Sequence, residues 1–545
     1  MNTQAILPFI NPGTCEKFGE VPMATPADVA RAHQEMRQNL PLWRKKTPAE
    51  RVRILKKLQK NLIEYADEIS AVVNQDTGKS RQDALSEIFL VVDKLHTYSK
   101  HATKWLSRER IAPGIYFFKR YYAEPQPYGV VGIIGPWNLP LDLTIPPVFS
   151  ALLAGNTVLL KPSEVTAATG VMIERLFQSV PELSPFVRVL HGDGTVGAAL
   201  VESRPDLVFL TGSTSTGRKI AQATAKNLTP FIYELGGKDP MLVLKDADIA
   251  AAARWGAWGS FYHSGQACVA IERIYVDETV YEPFLDAFIA ETRQIKQGYS
   301  PEKNNPNDIG PLTFDRQIAI IEDHLNDAVA KGARILYGGR RNGLFFEPTI
   351  VVDVDHSMKL MRDETFGPVV PIMKIKNEAE AIALANDSYY GLSACVWSRD
   401  LVHAEEVARQ IEAGSVLIND TIAHYAVSQL PFGGLKQSGT ARTHGRQDVL
   451  QFTQMRAYGV GQTPFTMDVA TILRQPGYYH LMSAIMHALF GVTPEQRLRA
   501  VRETGLQLQQ STPKVPKPKA SRLVLGAGAV AAMGALSALV LRARK

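Results

Sequence analysis

From Tyr128 onward the chain alternates short, unbroken apolar runs with segments of helical spacing. The runs are Val130–Ile134, Thr157–Leu160, Val187–Leu190, Leu207–Leu210 and Phe231–Tyr233, and Pro146–Ala154 reads as helix after the first. Runs without polar alternation belong to strands buried on both faces, so the pattern predicts a parallel sheet covered by helices on both sides. A second α/β series extends from Met241 to about Gln451. Upstream, Thr47-Pro48-Ala49-Glu50 spells a capping box with Pro at the first helical position, and Val52, Leu55, Leu58 and Leu62 follow as a core stripe, which predicts a helix there. Tyr478–Phe490 puts Tyr478, Leu481, Met482, Ile485, Met486 and Leu489 on one apolar face. That predicts a helix packed on the body, with an amphipathic element near a bilayer and a substrate entrance as the sharper alternative.

The C-terminal end changes character. Leu523–Leu541 is a run of uncharged residues between Arg522 and Arg542. As a helix rising about 1.5 Å per residue it reaches roughly 28 Å, close to the ~30 Å hydrocarbon core. The preceding Ser511–Ala520 is a basic, proline-bearing linker that would hold the segment away from the body. A transmembrane anchor is therefore expected over 523–541, whereas the N-terminus carries no export signal.

The 545 residues carry 60 Lys plus Arg and 54 Asp plus Glu, but seven of the bases and none of the acids lie in 511–545. The body is thus close to neutral and lacks the field that draws polyanions, which argues against nucleic-acid binding. Cys15, Cys268 and Cys395 are too far apart to read as a disulfide framework or a cysteine metal cluster, and no metal site is expected. A reducing compartment suits such a chain.

Ligands of open α/β sheets bind beyond the carboxyl ends of the strands, and chemistry-bearing residues stand at those places here. Leu207–Leu210 runs into Thr211-Gly212-Ser213 and then Gly217, a strand, glycine turn and helix start whose N–H groups could meet a phosphate. Thr157–Leu160 runs into Lys161 and Glu164, a cation and a carboxylate suited to ribose hydroxyls, or simply solvated charges. Ile133–Gly135 leads to Trp137 and Asn138, whose amide could serve an oxyanion or merely form a turn. Glu234 precedes two glycines, and Cys268 lies among small residues that would leave it accessible. A thiolate can attack a carbonyl and a carboxylate can activate water, although a lone Cys is commonly a small buried hydrophobe.

In this order the segments resemble the aldehyde dehydrogenase superfamily. The matching motifs are Pro136-Trp137-Asn138, Lys161-Pro162-Ser163-Glu164, Thr211-Gly212-Ser213-Thr214, Glu234-Leu235-Gly236-Gly237-Lys238, Gly265-Gln266-Ala267-Cys268, Glu364-Thr365-Phe366-Gly367-Pro368 and Pro431-Phe432-Gly433-Gly434. The segments Asn138–Thr144 and Lys226–Pro230 look most like the class 3 and fatty-aldehyde branch, which includes members with a C-terminal hydrophobic anchor.

The resemblance implies an α/β fold: a Rossmann-like NAD(P)-binding domain in 1–112 and 129–236, a second α/β catalytic domain in 237–449, and a small β oligomerisation arm in 113–128 and 450–465. A helical segment in 466–510, the linker 511–522 and the anchor 523–541 would follow. It also implies Cys268 as nucleophile, Glu234 as general base and Asn138 as oxyanion donor. Trp137, Lys161, Glu164, Gly212, Ser213, Gly217, Glu364 and Phe366 would bind the cofactor, NAD with NADP possible. The expected partners are an aldehyde, a lipid membrane reached through the tail, and further copies in a homodimer or homotetramer, with the catalytic body in the cytoplasm.

A bilayer tether concentrates lipid-soluble substrates, so medium to long aliphatic aldehydes are expected, with aromatic aldehydes or semialdehydes as the alternative. Readings from other classes are a membrane-tethered thiol hydrolase or acyltransferase pairing Cys268 with His263, and a non-catalytic scaffold. Reduction of a nicotinamide by an aldehyde separates them.

Overall fold

In the predicted five-strand region, alternate residues of each run face opposite cores. Val131, Ile133, Val158, Leu160, Leu207 and Phe209 pack with Leu55, Leu58, Leu62 and Leu95 on one side. Val130, Leu159, Val208 and Leu210 pack with Val29, Ala32 and Met36 on the other. Burial on both faces is why these runs carry no polar alternation, and each enclosed Val, Leu or Ile contributes about 1.5–3 kcal/mol.

The structure, a computed structural model, describes residues 5–114, 119–461, 474, 478–500 and 502. The five strands form one all-parallel sheet in the order Val187–Val189, Thr157–Lys161, Val130–Ile134, Leu207–Thr211, Phe231–Glu234. The helix expected after Thr47 spans Pro48–Glu64, and its capping box is complete: the Thr47 hydroxyl accepts from Glu50 N–H and the Glu50 carboxylate accepts from Thr47 N–H at 2.7 Å. Pro26–Arg44 starts with a second box, Thr25 with Asp28.

The second α/β series contains a seven-stranded sheet ordered Arg334–Tyr337, Thr349–Val352, Val369–Ile375, Ile271–Asp277, Asp239–Val243, Ser393–Trp397, Ser415–Ile418. Its strands run parallel except at the edge, where Arg334–Tyr337 pairs antiparallel with Thr349–Val352. Thr453–Gly461, Lys119–Pro127 and Glu109–Ile111 form a three-stranded sheet in that order.

The described residues fall into two units, one of those up to Arg110 with Tyr122–Ala457, the other of those within Ile111–Tyr121 and from Tyr458 onward. Both large sheets lie in the first. In the second, the expected helix Tyr478–Phe490 is present; among its described side chains Ala484 is buried, Tyr478, Met482 and Leu489 are half-buried and Met486 is exposed. Among the described residues no helix is long and apolar enough to cross a membrane, and the expected anchor 523–541 lies outside them.

Candidate active site

Glu234 ends the last parallel strand, and the turn after it is tied down on both sides. The Glu234 carbonyl accepts from Gly212 N–H at 3.1 Å, and Leu235 N–H donates to Ser438 O at 2.8 Å. Cys268 arrives by a different route. The helix Ile249–Phe261 breaks into three consecutive left-handed residues, His263 (φ 50°), Ser264 (φ 56°) and Gly265 (φ 70°). Two of them bear a Cβ, and such conformations cost of order 1–3 kcal/mol each, so the surroundings must impose them. They do: Ser264 Oγ donates to Gly310 O at 2.7 Å, Gln266 Nε2 donates to His263 O at 3.1 Å and Gln266 Oε1 accepts from Thr313 N–H at 2.9 Å.

The reversal brings the Cys268 thiol near enough to the Glu234 carboxyl for each to shift the other's pKa. The expected accessibility of Cys268 is corrected, since the residue is 9% exposed and packs with Leu139, Leu143, Val269, Leu392, Tyr425 and Phe432. Small neighbours permit close approach of the chain, and apolar side chains then close over the sulfur. Burial pushes the thiol well above its usual value, with Glu234, Asp239 and Glu364 adding to the effect. Burial likewise pushes the Glu234 carboxyl up to about 8, opposed by the Cys268 contact and reinforced by Glu364. Glu234 Oε1 is buried without a hydrogen-bond partner.

Asn138 is buried, and its Nδ2 donates to Gln266 O at 3.1 Å, two residues before the sulfur. The thiol–His263 pairing of the alternative reading is corrected: His263 Nε2 bonds the Asn138 carbonyl at 3.0 Å, and burial beside Lys79 pushes the imidazole well below its usual value. Left-handed backbone at His263 turns the ring towards that carbonyl.

Of the residues expected at the cofactor, Lys161 ends its strand, Gly212 and Ser213 follow the strand Leu207–Thr211, Gly217 lies in the helix Thr214–Ala225, and Glu364 and Phe366 lie in the loop before Val369–Ile375. Lys161 is buried and ion-paired to Glu164. Ser213 caps the helix Thr214–Ala225 by accepting from Thr216 N–H, and a Cβ on Gly217 would fall 2.8 Å from Leu235 Cδ1, so that glycine lets the helix approach the turn after Glu234 closely. Trp137 stands edge-on to Phe366 at 5.4 Å and to Phe314 at 4.9 Å. Glu364 Oε1 accepts from Gly237 N–H at 3.1 Å, and burial, then the Glu272 charge, pushes its carboxyl up to about 8.

Two buried networks escape sequence reasoning. Glu272 accepts from Thr365 N–H and Phe366 N–H, both at 2.8 Å, and from Lys238 Nζ at 2.6 Å, which holds Phe366 in a left-handed conformation (φ 52°). Beside Cys268, Lys94 Nζ pairs with Asp142 at 2.8 Å, and Tyr425 donates to the same carboxylate at 2.7 Å. Lys238 does stand in a recognised motif, but its partners are 34 and 127 residues away and nothing local announces them.

A dinucleotide fits these residues. A helix start follows the strand Leu207–Thr211, an ion pair stands at the end of Thr157–Lys161, and a Cβ on Gly236 would fall 2.1 Å from Glu364 Oε1, so only glycine leaves that carboxyl its place. The aldehyde dehydrogenase family model matches residues 1–458. The chain is 42% identical to 4,4'-diapolycopene aldehyde oxidase of Methylomonas sp, over 80% of this chain and 82% of that one. Its fold is similar to the crystal structure of betaine aldehyde dehydrogenase from Staphylococcus aureus in complex with NAD+ (TM-score 0.81, 31% identity, covering 85% of this chain and 93% of that one). It is similar as well to NADP-dependent glyceraldehyde-3-phosphate dehydrogenase from Bacillus halodurans complexed with NADP (TM-score 0.80, 30% identity, 84% and 96%). The chain belongs to the aldehyde dehydrogenase family, as an NAD(P)-dependent aldehyde dehydrogenase.

Proposed function

We propose that this enzyme oxidises apolar aldehydes, of medium to long aliphatic chain, to carboxylic acids, with Cys268 as nucleophile, Glu234 as general base and Asn138 as oxyanion donor. The observation that carries the reading is the convergence of three buried groups: the Asn138 amide bonded to Gln266 O two residues before Cys268, and the Glu234 carboxyl, its Oε1 unpartnered, near enough to the thiol to raise its pKa. Cys268 sulfur bonds to the carbonyl carbon as its proton passes to a base, and the oxygen gathers negative charge that an Asn138 amide N–H meets. When bound, the nicotinamide would supply the two-electron acceptor that oxidation of this adduct to the thioester level requires. Glu234 then takes a proton from water while the water oxygen adds to the thioester carbon. The C–S bond breaks, the acid leaves and the sulfur is regenerated.

On the cofactor side, Lys161 and Glu164 would hold the adenosine ribose, and Gly212, Ser213 and Gly217 would lie against the pyrophosphate. Glu364 and Phe366 would position the nicotinamide ribose and ring beside Trp137. The five-stranded and seven-stranded sheets support a division into nucleotide-binding and catalytic domains, and the three-stranded sheet supports an oligomerisation arm in a dimer or tetramer.

The substrate class draws support from the leucine and aromatic lining around Cys268, and from a relative named for 4,4'-diapolycopene aldehyde. The class 3 branch and the anchor 523–541 belong to the same reading, with the body in the cytoplasm. An aldehyde chain-length series tests it: kcat/KM should rise with length, and a flat or falling profile rejects it. Vesicle flotation tests the tether: the full chain should float, a chain ending at Gln510 should not, and flotation of both or neither rejects it.

A further inference from the structure

Asn138 is held at its main chain as well as through its side chain. Lys79, 1% exposed, follows the left-handed Gly78 that ends the helix Ala66–Thr77. Its ammonium donates to Asn138 O at 2.8 Å and to Glu87 Oε2 at 2.8 Å. Glu87 Oε1 accepts from Leu141 N–H at 2.7 Å and Asp142 N–H at 3.0 Å, so the same carboxylate grips the chain just beyond Asn138. His263 Nε2 completes the carbonyl's partners at 3.0 Å. A carbonyl only accepts, so Nε2 carries the imidazole proton.

Two ties therefore join the Asn138 segment to the segment bearing the nucleophile: His263 to the Asn138 carbonyl, and the Asn138 amide to Gln266 O. The amide has two N–H donors, and the Gln266 bond uses one. The other is left for a further acceptor. With both lone pairs of the carbonyl engaged by a buried ammonium and a buried imidazole, the main chain at Asn138 is anchored, and with it the Cα from which the amide is presented.

We propose that Lys79 and His263, with Glu87, are positioning residues that aim the Asn138 amide at the developing oxyanion and lock it in register with Cys268. The proposal rests on reading Asn138 as the oxyanion donor. Misplacement of a catalytic group by about 1 Å can cost ~100-fold in rate, which sets the expected scale.

The test is a double-mutant cycle on the full-length enzyme, reading single-turnover formation of reduced nicotinamide, aldehyde KM and cofactor Kd. Lys79→Met is combined with Glu87→Gln so that no unpaired charge stays buried. This pair should lower the hydride-forming rate by about 10–100-fold, with KM and cofactor Kd within about twofold. In an Asn138→Ala background the same pair should change the rate less than about threefold, because the group it aims is gone. An equal fold-loss in both backgrounds, or a rise in KM at unchanged rate, overturns the proposal. Should the pair not fold, His263→Ala against His263→Gln gives the same decision: the Gln amide can reach the carbonyl and should recover about tenfold over Ala, only when Asn138 is present. Equal rates for the two overturn it. Asn138→Ala alone separates the two layers: an unchanged rate removes the oxyanion reading and the positioning proposal with it, whereas a large loss without the cycle's coupling removes the positioning proposal alone.

Discussion

The Glu234 carboxyl and the Cys268 thiol lie near each other in the interior, one at the end of a parallel strand and the other after a left-handed turn, and burial raises the pKa of both. A buried pair of acids has a base form only after one proton leaves.

That relationship predicts a pH profile. With the Glu234 carboxyl at about 8, its base form grows as pH rises through that value. Turnover limited by thioester hydrolysis should climb over the same range, and Glu234→Gln should flatten the climb. Measuring kcat against pH for the two proteins checks this.

Stability carries the opposite sign. The folded-state value of Glu234 lies above the ordinary 4.5, so the folded chain holds that proton more tightly than the unfolded chain does. The resulting stabilisation is full below about 4.5 and is lost as pH rises through about 8. Relative to the native protein, Glu234→Gln should therefore gain thermal stability at pH 9 compared with pH 5. Parallel Tm measurements at the two pH values read it directly.

Gly265 answers to both backbone and space. Its φ is +70° and a Cβ would fall 2.2 Å from the Gly367 carbonyl oxygen, a main-chain atom that cannot swing aside. Gly265→Ala should destabilise the protein by about 2–4 kcal/mol and depress kcat, because the strain lies three residues before the sulfur. Differential scanning calorimetry and initial rates check it. Gly197→Ala, where a Cβ meets nothing within 4 Å, is the control expected to be near neutral.

Glu272 is the anchor of the Glu364–Phe366 segment. Glu272→Ala leaves the Lys238 ammonium buried without its partner, a loss of about 3–5 kcal/mol. It also frees Phe366 N–H, so calorimetric titration should show weaker NAD(P) binding. In Lys238→Met with Glu272→Leu, which removes both the buried charge and the acceptor, the stability loss should shrink while the binding defect stays.

The strands of the five-stranded sheet were legible to within a residue or two, because burial on both faces leaves an unbroken apolar signature such as Val130–Ile134. The capping box at Thr47 was legible for a local reason, since all its bonds close within four residues. The strand order and the antiparallel edge at Arg334–Tyr337 depend on pairings between distant segments that no run of side chains records. In the site, Glu234, Cys268 and Asn138 stood out as chemistry-bearing types at strand ends and turns. Burial of the sulfur did not, because it depends on Tyr425 and Phe432, more than 150 residues on. His263 misled for a related reason: five residues from the thiol in sequence, it turns through left-handed backbone to a carbonyl on another segment.

The most direct test of the central claim is mass spectrometry of Glu234→Gln quenched within one turnover on an apolar aldehyde and NAD+. Cys268 should carry the mass of the acyl group, in step with a single-turnover burst of NADH followed by slow release of acid. Full turnover with no acyl group on Cys268, or an acyl group on another residue, would contradict it.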